Sequence, residues 1–178
     1  MGIEKGERTT RKLFDFQSPD GVKEWFTVHD GVMGGRSQGL IRSSGEGTLV
    51  FGGNLSLENG GGFASIRSKP NPMRLFPGGR ICVRARGDGR IYSVNLYPDR
   101  SPMAFSFRAS LPTTMGTWSE VSIPLGMFVA TSFGRVISGY GPLEPEKITA
   151  MGFLLGDKKA GPFQLEIASI EAALCDLF

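Results

Sequence analysis

The chain has 178 residues, enough for one well-buried domain and short for two. Its 40% hydrophobic and 21% charged content is ordinary for a globular protein, and 13 phenylalanines supply the apolar area that disordered chains lack. A net charge of +3 permits an anionic partner without demanding one, while two cysteines without a CxxC spacing and a single histidine argue against a Cys/His zinc site.

Residues 1–12 are polar, carry Lys5, Arg8, Arg11 and Lys12, and lack the apolar run of a secretory signal, so a flexible leader is expected there. Residues 13–16, Leu-Phe-Asp-Phe, predict a first strand, and Ser18-Pro19-Asp20-Gly21 a turn. A helical turn near Val22 leads into a strand at Trp25-Phe26-Thr27-Val28. The Gly-rich run Asp30-Gly31-Val32-Met33-Gly34-Gly35-Arg36-Ser37 follows, too rich in glycine to lie inside a helix or strand. A strand over 37–43 turns through Ser44-Gly45-Glu46-Gly47 onto 48–51, with Gly52 and Gly53 as a bulge or bend. Leu55 and Leu57 share a period-two face, and a second Gly-rich turn, Glu58-Asn59-Gly60-Gly61-Gly62, precedes a strand over 63–68.

Residues 79–86 alternate cleanly, Ile81, Val83 and Ala85 against Arg80, Cys82, Arg84 and Arg86. Gly87-Asp88-Gly89 predicts a tight hairpin onto 91–97. Further strands are expected over 105–111, 118–123, 148–155 and 163–172, with 126–142 as a long loop and 174–178 as an apolar tail. About ten or eleven short strands with no long amphipathic helix is an all-β sandwich or barrel pattern, here a single domain over 13–173. No stretch approaches about 18 consecutive apolar residues, so no direct membrane insertion is expected.

The candidate chemistry is sparse. A nucleophilic triad needs a base, and His29 is the one histidine; its neighbour Asp30 points to the opposite face of a strand, so adjacency makes no dyad. Asp30, Glu58, Asp88, Asp99 and Asp157 lie at strand ends, where aspartate commonly bonds its own turn. The glycine runs match neither G-x-G-x-x-G nor the phosphate-binding loop pattern. Arg84 and Arg86, with Cys82 beside them and Arg90 and Arg108 nearby in strand order, suggest an arginine-bearing sheet face. With Tyr92, Tyr97 and Trp118 such a face would suit an acidic protein surface, a sugar or RNA, although no RNA-reading motif is present. The plain alternative is a solvated face with cross-strand ion pairs.

Several of these words together resemble the complex I intermediate-associated protein 30 family: Trp25 with Asp30-Gly31-Val32-Met33-Gly34-Gly35 and Ser37; Leu55-Ser56-Leu57-Glu58-Asn59 with Gly61-Gly62-Phe63-Ala64-Ser65 and Arg67; Gly87-Asp88-Gly89-Arg90 with Tyr92; and Gly161-Pro162-Phe163 near the end. The resemblance covers residues 13–172. It departs at His29, where the family often has Asn. It implies a galactose-binding-like β-sandwich (a jelly roll) with little helix. It also implies a non-enzymatic, chaperone-like assembly factor for a respiratory or photosynthetic membrane complex. On that basis the chain is expected to be a monomer without cofactor or metal. It would bind protein subunits rather than nucleic acid, in the cytoplasm or an organelle stroma or matrix, and meet a membrane through its partners. The alternative on the same fold is a carbohydrate-binding module, with Trp118, Tyr92 and Tyr97 as sugar-stacking rings. The residues expected to form a shared structural or binding region are Asp30, Gly34, Gly35, Ser37, Glu58, Asn59, Arg67, Asp88, Arg90 and Tyr92, with Arg67 or Arg90 pairing to Glu58 or Asp88.

Overall fold

The computed structural model describes residues 8–29, 35–102 and 104–175. One sheet contains β1 (Arg8–Lys12), β3 (Gln38–Ser43), β4 (Leu49–Leu55), β6 (Arg80–Arg86), β9 (Trp118–Pro124) and β13 (Gly161–Cys175). Its order is β3-β4-β13-β6-β9, with β1 also on β13. The other contains β2 (Trp25–His29), β5 (Ala64–Ser68), β7 (Ile91–Pro98), β8 (Phe105–Pro112), β10 (Val129–Ser132), β11 (Arg135–Val136) and β12 (Ile148–Leu155), in the order β11-β10-β8-β7-β12-β5-β2. Every pairing between these strands is antiparallel. Among the described residues the one α-helical turn, α1 (Asp20–Lys23), is four residues long.

Period-two alternation sets which side of each sheet meets the core. In β6, Ile81, Val83 and Ala85 are buried between the sheets and Arg84 points out. In β7, Tyr92, Val94 and Leu96 face inward, against Phe153 and Leu155 of β12 and Leu165 and Ile167 of β13 in one core. Trp25 is packed by Phe14 at 4.8 Å, Phe16 at 6.3 Å and Phe153 at 5.9 Å between ring centroids.

Three expectations change here. The apolar run 13–16 is not the first strand. Its phenylalanines leave the sheet to cover Trp25, and the strand is the polar segment just before it, β1, within the expected leader. β1 pairs with the far end of β13, and arginine heads fasten it: Arg11 donates to the Met73 and Arg74 carbonyls, Arg8 to Cys82 Sγ. An exposed edge strand held by its backbone and its charges shows no hydrophobic period. Second, Gly87-Asp88-Gly89 is not a hairpin. β6 pairs with β13 and β9, β7 with β8 and β12, so the segment carries the chain from one sheet to the other. Third, Gly52 and Gly53 form no bulge. They stay in register with Leu40 and Gly39 on one side and Gln164 and Phe163 on the other. A Cβ at Gly53 would lie 1.9 Å from the Gln38 carbonyl oxygen.

Smaller differences follow from length. Leu55 closes β4 fully buried, whereas Leu57 lies beyond the strand and is exposed. The expected long loop at 126–142 contains β10 and β11, joined at Phe133 and Gly134, both in the left-handed region. β13 continues to Cys175, past the expected start of the tail.

At Gly152 of β12 the neighbouring strand β5 also approaches closely. A Cβ there would stand 2.4 Å from the Ile66 carbonyl oxygen and 3.2 Å from the Tyr97 hydroxyl. Gly152→Ala is therefore expected to destabilise the fold by about 2 kcal/mol, the range of core overpacking. The check is the thermal midpoint by calorimetry, where no change would mean that β5 and β12 yield freely at this point.

Candidate functional site

The residues carrying the sequence motifs gather at one end of the sandwich, where β2, β4, β6 and β12 finish and β3, β5, β7 and β13 begin. The crossover from β6 to β7 lies among them. The Asp88 carboxylate accepts the Arg90 backbone N–H at 3.1 Å, the Gln164 N–H at 2.8 Å and the Tyr92 hydroxyl at 3.0 Å. It ties the crossover to the first turn of β13 and to a tyrosine of the core. Tyr92 is fully buried. Burial pushes its phenol far above the usual range and the Asp88 charge pushes it further, so it stays a neutral donor.

Arg90 does not pair with Glu58 or with the Asp88 side chain. Its Nε and Nη2 meet the two Asp157 oxygens at 2.8 and 2.7 Å, a bidentate pair in which the side chains are 13% and 11% exposed. The remaining donors reach the carbonyls of Lys159, Gly161 and Pro162. The hydrogen bond to Asp157 raises the guanidinium pKa, and the same bond holds the Asp157 carboxyl below the usual carboxylate range against the effect of burial. Asp157 stood in the sequence among the turn aspartates, but its partnership with Arg90 was not legible, since it spans two sheet-crossing connections.

The two Gly-rich motifs meet at Ser37, whose hydroxyl accepts the Ser56 N–H at 3.0 Å and donates to the Ser56 carbonyl at 3.1 Å. Gly35 lies two residues before this clasp, partly buried. Glu58 reaches Arg36 at 3.6 Å, with both side chains exposed, an arrangement worth about 0–1 kcal/mol. Asn59 holds a left-handed conformation, φ 54°, inside the short 3-10 turn Glu58–Gly60. A Cβ at Gly156 would lie 3.8 Å from the Gly62 carbonyl, so the turn and the Asp157 loop are neighbours. Asp30 and Gly34 lie outside the described residues, as does the His29 side chain.

Arg67 belongs elsewhere, on the outward face of the seven-stranded sheet, with its guanidinium carbon 3.7 Å from the Tyr97 ring centroid. Asn95 donates to the Tyr97 hydroxyl at 3.2 Å, and Arg108 Nε donates to Asn95 Oδ1 at 3.3 Å. Burial lowers the Arg108 pKa, partly offset by Tyr97. The Asn95–Tyr97 spacing of two was visible in the sequence; its alignment with Arg67 and Arg108 required the strand order.

The expected single arginine face is thus three places. Arg84 and Arg86 are on the outward side of the six-stranded sheet, 5.5 and 4.9 Å from the Trp118 ring centroid. Arg86 pairs with Glu166 at 2.6 Å, and Thr48 donates to the same carboxylate. Burial pushes Glu166 upward, but Arg86 and Thr48 outweigh it and its pKa is lowered. Arg90 is sealed in the clasp, and Arg108 sits on the opposite sheet. No cluster of three or more His, Cys, Asp or Glu with metal-binding proximity occurs among the described residues.

The fold is that of the β-sandwich carbohydrate-binding modules. A family 11 carbohydrate-binding module from Clostridium thermocellum, solved with a beta-1,3-1,4-mixed-linked tetrasaccharide, superposes with a TM-score of 0.68 over 94% of this chain and 96% of that one, at 15% identity. The family 11 module of the cellulosomal cellulase Lic26A-Cel5E of the same organism gives 0.66 at 14% identity, with 96% of each chain covered. The expected jelly-roll class therefore holds, with thirteen strands among the described residues in place of about ten.

Sequence carries the assignment further. Residues 14–167 match the family model described as Complex I intermediate-associated protein 30, and the chain belongs to that family. Curated relatives named complex I intermediate-associated protein 30, mitochondrial, include one from Mus musculus, 31% identical over 88% of this chain and 54% of its own length. Another, from Drosophila melanogaster, is 29% identical over 89% and 61%. The chain thus spans about half to three-fifths of the length of these relatives.

The clasp makes a directional prediction. Asp157→Asn leaves a buried guanidinium without its counter-charge and is expected to cost about 3 kcal/mol at neutral pH. The Asp157 pKa is lowered on folding, so the contribution of the pair is fully present above the unfolded carboxyl value, about 3.9, and is lost as pH falls through the lower folded value. Urea unfolding of wild type and Asp157→Asn should show a gap that is wide at neutral pH and narrows below about pH 4. A gap independent of pH would assign the loss to packing instead.

Proposed function

We propose that this chain is a non-enzymatic binding module that assists assembly of a multisubunit respiratory or photosynthetic membrane redox complex. One observation carries the proposal: the family match at 14–167 begins at Phe14, which packs on Trp25, and runs into the middle of β13, so the matched unit is the sandwich itself. The partners are protein subunits of the unfinished complex. The chain acts as a monomer in the compartment where that complex is built and reaches the membrane through those subunits. Among the described residues no helix is long and apolar enough to cross a membrane. The clasp residues support a scaffold role, because Asp88, Arg90 and Asp157 spend their hydrogen bonds on one another and on backbone.

The fold neighbours favour a second reading, a sugar-binding module. The side chains weigh against it. A sugar platform needs ring faces open on one surface. Here Tyr92 is fully buried, Tyr97 is 7% exposed beneath Arg67, and Trp118 lies on the other sheet beside two guanidiniums.

The test is recovery of the tagged chain from detergent-solubilised native membranes and cytosol, resolved on native gels and read by mass spectrometry. Subunits of one redox complex at subassembly size are expected. A glycan array provides the counter-test. Specific glycan binding with no recovered subunits would replace the assembly reading by the sugar-binding one.

A further inference from the structure

The sequence between Glu120 and Glu144 contains no acidic residue, and its one basic residue is Arg135. It holds the β10–β11 hairpin, which forms the outer edge of the seven-stranded sheet. Ile91 pairs with Pro112 at the clasp end of β7 and β8, whereas Ser132 pairs with Phe105 at their other end. The hairpin tip, Phe133-Gly134, therefore stands at the end of the sandwich away from Asp88 and Arg90. Phe133 and Gly134 hold φ of 49° and 76°, the left-handed pair that a two-residue hairpin turn requires. Asparagine followed by glycine meets that requirement with little strain. Phenylalanine has no polar group to bond locally and takes the conformation at a cost.

The ring gains little burial in return, since Phe133 is 75% exposed. Backbone holds the turn instead: the Phe133 N–H donates to the Ala104 carbonyl at 3.2 Å and the Ile137 N–H to the Ala130 carbonyl at 3.0 Å. Val136 beside the tip is 71% exposed, and Met127 and Val129 on the way into the hairpin are exposed as well. Tyr140 leans on Phe105, with ring centroids 4.5 Å apart, and leaves more than half of itself in solvent. Arg135 is exposed and forms no ion pair among the described residues. A Cβ at Gly134 would lie 3.7 Å from Arg108 Nη1, so a second guanidinium stands under the turn. At the same end Asp99 pairs with Arg100 and Glu144 with Lys147. Those charges cancel, and the charge of Arg135 does not.

We propose that the β10–β11 hairpin is an interfacial membrane contact, in which Phe133, Val136 and Met127 enter the boundary between headgroups and acyl chains and Arg135 meets lipid phosphates. A protein interface draws its apolar area from a packed patch ringed by polar side chains. Here the apolar side chains are strung along a turn and a sheet edge, and no carboxylate between Glu120 and Glu144 opposes an anionic lipid surface. A tyrosine beside the tip suits the headgroup level, where rings with a polar end collect. The contact is shallow, because strands of four and two residues are too short to cross a bilayer. The inference goes beyond the assembly reading: it gives the chain a lipid contact of its own beside the one made through subunits.

The test is sedimentation of the full chain with phosphatidylcholine vesicles, with and without phosphatidylglycerol. The wild type is expected to bind both, and the anionic vesicles more tightly. Phe133→Asn should weaken binding to both by at least about tenfold, the loss expected when one phenylalanine is no longer buried in lipid. Its thermal midpoint should hold or rise, because asparagine suits the left-handed position. Arg135→Gln should weaken binding about fivefold on the anionic vesicles alone. Met115→Ser removes a comparably exposed side chain at the clasp end, beside Gly87, and should leave binding unchanged. Should Phe133→Asn fold poorly, Val136→Ser and Met127→Ser decide the question by the same sedimentation. Failure of the wild type to bind either vesicle overturns the proposal, as does unchanged binding of the hairpin variants or an equal loss on Met115→Ser. If the wild type ignores vesicles and Phe133→Asn loses recovered subunits instead, the hairpin contacts protein and the proposal is again overturned. Recovery of complex subunits without vesicle binding leaves the assembly reading standing and the lipid contact alone wrong. Vesicle binding that follows the variants, with no subunits recovered, leaves the lipid contact standing and the assembly reading alone wrong.

Discussion

The passage of the chain from one sheet to the other at residues 87–90 is the constraint that organises the rest. Two sheets packed face to face need covalent crossings, and each crossing exposes backbone donors and acceptors that no ladder satisfies. Here Asp88 and Arg90 take up that demand from opposite signs of charge. The aspartate gathers three donors, from the crossover itself, from β13 and from the Tyr92 phenol, and the arginine gathers one carboxylate and three carbonyls. Because Asp157 and the Lys159 carbonyl belong to the connection between β12 and β13, and Gly161 and Pro162 open β13, the bonds join two crossings at once. The Ser37–Ser56 clasp and the turn at Asn59 lie against the same connection. Of the residues that look like a binding constellation in sequence, Asp88 and Arg90 direct their hydrogen bonds to these two crossings.

Much of this was legible in the sequence, for identifiable reasons. Strands such as β6, β7 and β12 declare themselves because one face is core and the other is not, and the Gly-rich turns declare their ends. What failed were inferences about partners. Gly87-Asp88-Gly89 has the composition of a hairpin, and composition does not say whether two strands leaving a turn pair with each other or with strands a hundred positions away. β1 was hidden for the opposite reason: its residues are polar, and its place is set by hydrogen bonds to β13 and by arginine contacts with carbonyls and a thiol. The apolar run beside it serves burial of Trp25. The separation of the arginines onto two sheets and a clasp, and the row through Arg67, Asn95 and Arg108, exist only once strand order is known.

The same scaffold carries different surfaces in different proteins. The carbohydrate-binding modules share the sandwich closely, yet identity of about 15% leaves the side chains free to change. In this chain Tyr92 is buried, Tyr97 is capped by a guanidinium and Trp118 is flanked by two. Likeness of fold at that identity therefore carries no function over to this chain, as expected when function is grafted onto a common architecture.

β13 is both the centre of its sheet and, among the described residues, the last strand in chain order. Until it is synthesised, β4, β6 and β1 have no common neighbour, and β4 and β6 each present a long unpaired edge while the other sheet is already complete in sequence. A growing chain would carry those edges, with Val50, Phe51, Ile81 and Val83, until one late pairing event closes them together. Such late, non-local closure makes for slow folding and for exposure to strand-to-strand aggregation during synthesis. A chain of this topology would itself pass through a vulnerable stage, which ends when β13 finds the gap between β4 and β6.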